Sequence, residues 1–459
     1  MHPMIGLEVH ISLNTHTKLF CSCPLPKEGD EPNTKTCDTC VGFPGSKPVV
    51  NKKAIAYALK LCLALHCAIS PEVVFSRKVY FYPDMGKNYQ ITQYEQPLGS
   101  NGKLNIGDKE ITLTRIHIEE DPAALLHQGS TVLVDYNRSG KPLCEIVTAP
   151  DFESADEARE FLKRLITILI YLDIFDQKEG VIKADANVSI KGYERAEIKN
   201  ITGFKEIERA INYEIERQRV LIREHQGLQH RETRGWDKEK GVTLFQRKKE
   251  EEQDYGYILD TDLAPIDISE KTIRQTKAAL PELPQEKSQR YHATLHLKQD
   301  DAEVIANDYA LATLFEKAVN TIDPSFAAEW IRREVTRILN YNKKTLEETF
   351  IEKHLLKLLT LIQNKKITRR TGQKIIELLS NHDIDIGSYI KEHHLELVED
   401  EGAVEDACKK ILEENKQAAQ HYRQGEEKAF SYLVGECMKA TKGRANPQTI
   451  HAALKKLLS

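Results

Sequence analysis

Alternation of apolar and polar residues runs through this 459-residue chain up to about Pro284 and stops there. In "IGLEVHISL", Ile5, Leu7, Val9, Ile11 and Leu13 alternate with Gly6, Glu8, His10 and Ser12. The period recurs in "EITLTRIHIEE", "STVLVDYNRSGKPLCEIV", "VIKADANVSI" and "AEIKNI". Successive strand side chains point to opposite faces, so each segment predicts a strand with one face to bury. Few helices separate them, which fits an antiparallel sheet with few crossovers. "NKKAIAYALKLCLALHC" (Asn51 to Cys67) has helical spacing. So does "FKEIERAINYEIERQRVLIREHQG", where Ile207, Ile211 and Ile215 recur every four residues and Gly227 ends the run.

"LPELPQEK" (Leu280 to Lys287) is a proline-rich break. After it, "DAEVIANDYALATLFEKAVN" and "IEKHLLKLLTLIQNKK" read as short amphipathic helices. A second break is the acidic "EHHLELVEDEGAVED", residues 392–406, and the last stretch is helical again. The expected class is α+β: a mainly antiparallel sheet, then an all-α region, then a small helical tail. No period of 20–50 residues marks a solenoid.

Charged residues make up 29% and apolar ones 40%, the balance of a soluble globular protein. No apolar run approaches the ~20 residues of a membrane span. The start lacks a basic-then-apolar leader, so the cytoplasm is the expected location. The formal net charge is −5, so binding of nucleic acid would need a local basic patch. Nine cysteines, an odd and small number, argue against a disulfide framework and for metal or buried thiols.

Four of those cysteines, Cys21, Cys23, Cys37 and Cys40, fall within twenty residues as C-x-C, thirteen residues, C-x2-C. Two close thiolate pairs across a loop suit a tetrahedral Zn²⁺ site. All-sulfur ligation leaves no open position, so such a metal is structural. The bland reading is four unrelated loop cysteines. Cys62, Cys67, Cys144, Cys408 and Cys437 sit in apolar patterns and read as core.

The polar faces of the predicted strands carry chemistry. Lys183, Asp185, Asn187 and Ser189 share one face of "VIKADANVSI". Arg115, His117 and Glu119 share a face of "LTRIHIEED", with Glu120 and Asp121 at its end. Glu145 points where Leu143 and Val147 point, and Glu197 and Lys199 alternate with Ile198. Placed side by side, these strands pool Glu8, His10, Glu119 or Glu120, Glu145, Asp185 and Asn187. Carboxylates with an imidazole suit Mg²⁺, which completes its shell with water and phosphate oxygens. Taken singly, each face reads equally as solvated sheet.

The chain contains no G-x-x-x-x-G-K-[ST], no G-x-G-x-x-G and no G-x-S-x-G. A nucleotide here would not sit on a P-loop or a Rossmann turn. "FSRKVYFYPDMGKNYQITQYEQPL" (Phe75 to Leu98) mixes tyrosines with Arg77, Lys78 and Lys87. It reads either as a base-stacking, phosphate-binding stretch or as tyrosines packed at a sheet edge.

Several long motifs together resemble one family. They are "IGLEVHISLNTHTKLFCSC", "NTKTCDTCVGFPGSKPVVN", "FSRKVYFYPDMGKNYQITQYEQP", "IHIEEDPA", "LVDYNRSGKPLCEIVTAPDF", "KADANVSI", "ETRGWD" and the closing "LVGECMKATKGRANPQTIHAALKKLL". The sequence is similar to the B subunit of the tRNA-dependent amidotransferases (GatB), in order from residue 5 to the end. The resemblance implies a cradle-like domain with a zinc knob over residues 1–285, a helical domain over 286–398 and a YqeY-like tail over 399–459. It implies that Asp on tRNA(Asn) or Glu on tRNA(Gln) is phosphorylated by ATP at its side-chain carboxylate and then amidated by ammonia. The implied partners are the glutaminase, or A, subunit of Ser-Ser-Lys amidase type, the small C subunit, and misacylated tRNA.

Carried onto this chain, the family implies catalytic roles for Glu8, His10, Glu119, Glu120 and Glu145, with His10, Glu120 and Glu145 on Mg²⁺. Lys78, Lys87, Asp185 and Asn187 would contact ATP. Cys21, Cys23, Cys37 and Cys40 would hold zinc. Lys439, Lys442 and Arg444, beside the expected helix break at Gly443 and the helix start at Asn446-Pro447, would grip the tRNA elbow. The sequence departs from the family where the acidic cluster is followed by Pro122-Ala123-Ala124 instead of Ala-Gly-Lys. The lysine's work would then pass to another residue, such as Lys183. Competing readings are an amidotransferase like the archaeal Glu-tRNA-specific E subunit but without its large insert, a non-catalytic tRNA-binding scaffold and a zinc-stabilised assembly factor.

Overall fold

The computed structural model describes residues 2–176, 182–248, 256–397, 401–424, 426–441, 445 and 447–458. The chain divides into two compact units, Met1–Leu283 and Pro284–Ser459, and the division falls inside the proline-rich break.

The first unit holds the sheet. Its strands begin with β1 (Pro3–Ser12), β2 (Ala68–Ile69), β3 (Glu72–Val73), β4 (Ser76–Val79) and β5 (Tyr89–Thr92). β6 (Gly99–Ile106), β7 (Lys109–Glu120), β8 (Ala124–Gln128), β9 (Thr131–Asp135) and β10 (Pro142–Thr148) follow. The last are β11 (Ile182–Ile190), β12 (Ala196–Thr202), β13 (Glu232–Asp237), β14 (Val242–Lys248), β15 (Gly256–Leu259) and β16 (Ile266–Asp267). Among the described residues, nine strands make one sheet in the order β14-β13-β12-β11-β1-β10-β7-β6-β2. β1 lies at its centre, antiparallel to both β10 and β11.

The apolar half of each central strand faces the core. Ile5, Leu7, Val9 and Ile11 of β1, Ile116 and Ile118 of β7 and Ala184, Ala186 and Val188 of β11 are buried in one cluster. Helices Lys52–Ala64, Ala155–Tyr171 and Phe204–Arg223 pack their apolar stripes into the same cluster. Each large side chain buried this way contributes roughly 1.5–3 kcal/mol. That burial fixes the register, because a one-residue slip would turn Glu8 and His10 into the core.

Three details differ from the sequence expectation. Helix Ala155–Tyr171 was not foreseen, although Ser154 caps it by accepting from the Glu157 amide at 3.2 Å and Asp156 and Glu157 fill its first turn. Helix Phe204–Arg223 ends before Gly227. His225 takes the left-handed conformation at φ 59°, and the Gln226 amide closes back on Leu221. The sheet also contains one parallel pair, β12 with β13, made possible because that helix carries the chain back across the sheet.

The second unit is helical, with no strand among the described residues. It holds two buried apolar clusters, one between Tyr291 and Ile390 and one between Val404 and Leu458. Cys62, Cys67, Cys144, Cys408 and Cys437 are all buried. Among the described residues, no helix is long and apolar enough to cross a membrane.

Candidate active site

The register of the central strands sets the polar residues in rows. One row runs Lys183, His10, Glu145, His117 across β11, β1, β10 and β7. The next runs Asp185, Glu8, Val147, Arg115 across the same strands. Directly opposed partners in a sheet hold their Cβ atoms about 5 Å apart, so these side chains interact by construction.

His10, Glu119 and Glu145 place ligand atoms within 4.8 Å of one another. His10 Nε2 lies 3.3 Å from Glu145 Oε2 and 3.6 Å from Glu119 Oε1. His117 Nε2 lies on the same carboxylates, 3.5 Å from Glu145 and 3.7 Å from Glu119. Both glutamates and His117 are buried, whereas His10 keeps 24% of its side chain open. Beside them, Glu8, Asp185 and Glu197 form a second close set of carboxylates. Lys199 Nζ bridges Asp185 at 2.7 Å and Glu197 at 2.6 Å, and Asn187 Nδ2 donates to Glu8 at 3.0 Å.

These neighbours move the proton affinities. Burial disfavours the His10 imidazolium, but the Glu145 hydrogen bond and the charges of Glu145, Glu119 and Asp185 outweigh it, pushing the pKa up to about 9. Burial acts to raise Glu145, yet the charge of His117 and the bond and charge of His10 hold it far below the usual carboxylate range. Glu119 is likewise lowered: the His117 hydrogen bond overcomes burial. Lys199 is raised because Asp185, Glu197 and Glu8 outweigh burial. Lys183 is lowered by burial and by Arg138, and Asp121 is raised by burial. Two ionised carboxylates and an imidazole fit a divalent cation that keeps some of its water, and binding one would displace the imidazole proton.

The rows open onto a polar cleft of about 440 Å³. Glu8, His10, Glu119, Glu145, Asp185 and Lys78 line it together with Lys183, Lys199, Arg138 and Lys141. Glu120 is placed elsewhere. It was expected beside His10 and Glu145, but one residue along a strand reverses the face, and Glu119 takes that place. The Glu120 carboxylate is buried on the core side, where Lys87 Nζ at 2.5 Å and the Ile91 amide at 2.8 Å hold it. Lys87 is thereby engaged with Glu120, and neither residue lines the cleft. Asn187 is bonded to Glu8 and is not part of the cleft lining.

Sequence reasoning did not select His117, Glu197, Lys199, Arg138, Lys141 or Asp121. Period-2 spacing had already put His117 and Lys199 on the right faces. No local signal singles out Arg138 and Lys141, which sit on the turn between β9 and β10. Arg138 reaches Asp121 at 3.1 Å and the Pro122 carbonyl at 3.1 Å. Ala124 starts β8, outside the cleft lining.

Cys21, Cys23, Cys37 and Cys40 bring their sulfurs within 4.8 Å of one another. The Cys21 hydrogen bond, the Cys37 amide and Lys18 together pull the Cys40 thiol down to about 4 against its burial. Four convergent sulfurs, one of them held as thiolate, fit a tetrahedral soft-ligand metal such as zinc.

In the tyrosine-rich stretch some rings pack on protein, while Phe81 and Tyr82 are exposed. Tyr94 stacks on Tyr257 at 3.8 Å, and the Arg77 guanidinium lies 4.6 Å over Tyr89. In the tail, Lys439 is exposed and pairs with Glu436 at 2.6 Å. Lys442, Gly443, Arg444 and Asn446 lie outside the described residues. Pro447 begins the last helix, Pro447–Leu458.

Residues 3–274 match the family described as the GatB/GatE catalytic domain, and residues 313–458 match the family described as the GatB domain. Among curated relatives, the B subunit of the aspartyl/glutamyl-tRNA(Asn/Gln) amidotransferase of Trichlorobacter lovleyi is 42% identical over 472 residues, 100% of this chain and 99% of the relative. The B subunit from Syntrophotalea carbinolica is 41% identical over 99% of this chain and 98% of its own length. That of Methanospirillum hungatei is 41% identical over 100% and 98%. The chain therefore belongs to the family of B subunits of the aspartyl/glutamyl-tRNA(Asn/Gln) amidotransferases.

Proposed function

We propose that this chain carries the kinase and transamidase steps of a tRNA-dependent amidotransferase, acting on Asp-tRNA(Asn), Glu-tRNA(Gln) or both. The observation that carries the reading is His10, Glu145 and Glu119 facing a cleft rimmed by cations inside the matched catalytic region, with His117 buried against the same two carboxylates. In the proposed reaction a side-chain carboxylate oxygen of the misacylated tRNA attacks the γ-phosphorus of ATP, and ADP leaves. Ammonia then attacks the acyl carbon of the acyl phosphate, inorganic phosphate leaves, and a proton is lost from nitrogen.

His10, Glu119 and Glu145 would hold Mg²⁺, with Glu8 beside them. When bound, that ion supplies charge neutralisation at the phosphoryl oxygens. Phosphoryl transfer asks little covalent chemistry of the protein and much positioning. Lys78, Lys183, Lys141 and Arg138 supply cations at the rim for phosphate oxygens. Lys199 ties Asp185 to Glu197, which keeps that carboxylate pair in place. Glu120 and Lys87 brace the wall from the core side. The four cysteines would hold a structural zinc.

Residues 1–285 would be the catalytic cradle, 286–398 a helical arm and 399–459 a tail that binds the tRNA elbow through Lys439, Lys442 and Arg444. A glutaminase partner would supply the ammonia and a small third partner would complete the assembly, in the cytoplasm.

The test uses the assembled enzyme with its glutaminase inactivated, given Mg²⁺, ATP, ammonium chloride and Asp-tRNA(Asn) or Glu-tRNA(Gln). Amide on the tRNA with matching release of phosphate is the expected result. Intact tRNA binding with no amide from either substrate would leave a scaffold role and overturn the proposal.

A further inference from the structure

Lys18 is fully buried, and among the described residues it is the one lysine so enclosed. Its Nζ lies 3.4 Å from Cys40 Sγ and 3.1 Å from the carbonyl oxygen of Tyr136. Taking an ammonium out of water is costly unless an anion compensates it. A carbonyl alone does not compensate it, but anionic sulfur at Cys40 does. A divalent metal held by four thiolates keeps that sulfur anionic and carries a net double negative charge.

The second neighbour matters as much as the first. Tyr136 belongs to the turn between β9 and β10, which the cysteine loop grips along its length. The Tyr136 amide donates to Asn33 Oδ1 at 2.7 Å, and Asn33 Nδ2 donates to the Val134 carbonyl at 3.0 Å. The Lys35 amide donates to Asn137 Oδ1 at 2.7 Å, and Asn137 Nδ2 donates to the Glu31 carbonyl at 2.7 Å. Ser139 Oγ donates to the Cys40 carbonyl at 3.0 Å. In the middle of this turn, Arg138 reaches over to Asp121 and the cleft.

We propose that Lys18 is the built-in counter-charge of the four-cysteine centre, and the strut through which a bound metal holds the turn that brings Arg138 to the cleft. The proposal rests on reading Cys21, Cys23, Cys37 and Cys40 as a metal site. Lys18 is fully buried and does not line the cleft. It is a positioning residue, and the knob becomes part of the apparatus that shapes the active cleft.

The experiment uses the full chain in its assembled complex, purified after growth with zinc. Metal content is measured by mass spectrometry, metal retention by titration with a chelator, and amide exchange along residues 134–141 by hydrogen–deuterium exchange. Lys18→Met keeps the packing and removes the charge. Wild type should carry one zinc, and Lys18→Met should release it to about 10- to 100-fold less chelator. Equal retention by the two proteins would overturn the counter-charge. Stripping zinc from the wild type should speed exchange in 134–141 while the Ile182–Ile190 strand stays protected. This arm holds even where Lys18→Met fails to fold, and unchanged exchange in 134–141 would overturn the strut. A wild type that carries no metal would overturn the cysteine site itself, and the proposal with it.

Discussion

Glu119 and Glu120 are adjacent in sequence, yet their carboxylates end on opposite faces of the same strand. Glu119 meets two imidazoles at the cleft floor, one of them the buried His117, whereas Glu120 is locked to Lys87 and a backbone amide on the core side. Their substitutions should therefore separate. Glu119→Gln should lower the turnover of the assembled enzyme by about 10²–10³-fold, the cost typical of removing one preorganised electrostatic group, and leave the melting temperature within a few degrees. Glu120→Ala strands the Lys87 ammonium, and breaking a buried pair on one side costs about 3–5 kcal/mol, read as a lowered denaturation midpoint. Equal effects of the two on stability, with none on turnover, would show that the strand face is misassigned. The spacing alone put Glu119, His117 and His10 on polar faces, and Glu145 on a face it shares with Leu143 and Val147. It did not say which strands are neighbours, so the choice between Glu119 and Glu120 became legible only in the register.

At the scale of elements, the alternating segments foretold most of the central strands because burial of one face dictates both their conformation and their register. Helix Ala155–Tyr171 was legible and was passed over: Ala158, Phe161, Leu162, Leu165, Ile168 and Leu169 recur at helical spacing behind the Ser154 cap. Arg138 and Lys141 escaped for a different reason: a turn residue's direction is decided by the loop that grips it, here the distant cysteine loop. The helical region offers a test of its own. Glu316 accepts from Lys287 at 2.6 Å, Arg290 at 2.5 Å and Tyr291 at 3.0 Å. Burial acts to raise its pKa, but those bonds outweigh it and hold the carboxyl below its ordinary value. A depressed carboxyl stabilises the fold above its unfolded pKa and loses that contribution as pH falls through the folded value. Glu316→Gln should thus cost about 1–2 kcal/mol at pH 7, with the difference from wild type shrinking as pH falls below the unfolded carboxyl value. A gap that does not change with pH would mean that packing, not charge, is responsible.

At the scale of the molecule, the chain joins a sheet-bearing unit to a helical one, each with its own buried apolar residues. The cysteine cluster belongs to the first unit alone. Calorimetry of the whole chain should therefore show a metal-sensitive transition and a metal-insensitive one. Chelation should lower the first by several degrees, as a linkage of about 4 kcal/mol would do, and leave the second in place. A uniform shift of both would contradict the separation.

The central claim is that the polar rows of the sheet form the phosphoryl-transfer site. Its most direct test is the first half-reaction, with no ammonia source: phosphate released from ATP by the assembled enzyme when misacylated tRNA is supplied. Wild type and Glu145→Gln would be compared, with tRNA affinity measured on the same preparations. The account predicts a fall in tRNA-dependent phosphate release of about 10²–10³-fold, with tRNA affinity changed less than about twofold, because Glu145 is buried among the two imidazoles, Glu119 and Arg115 at the cleft. Undiminished phosphate release from Glu145→Gln would contradict it and return these rows to ordinary polar sheet.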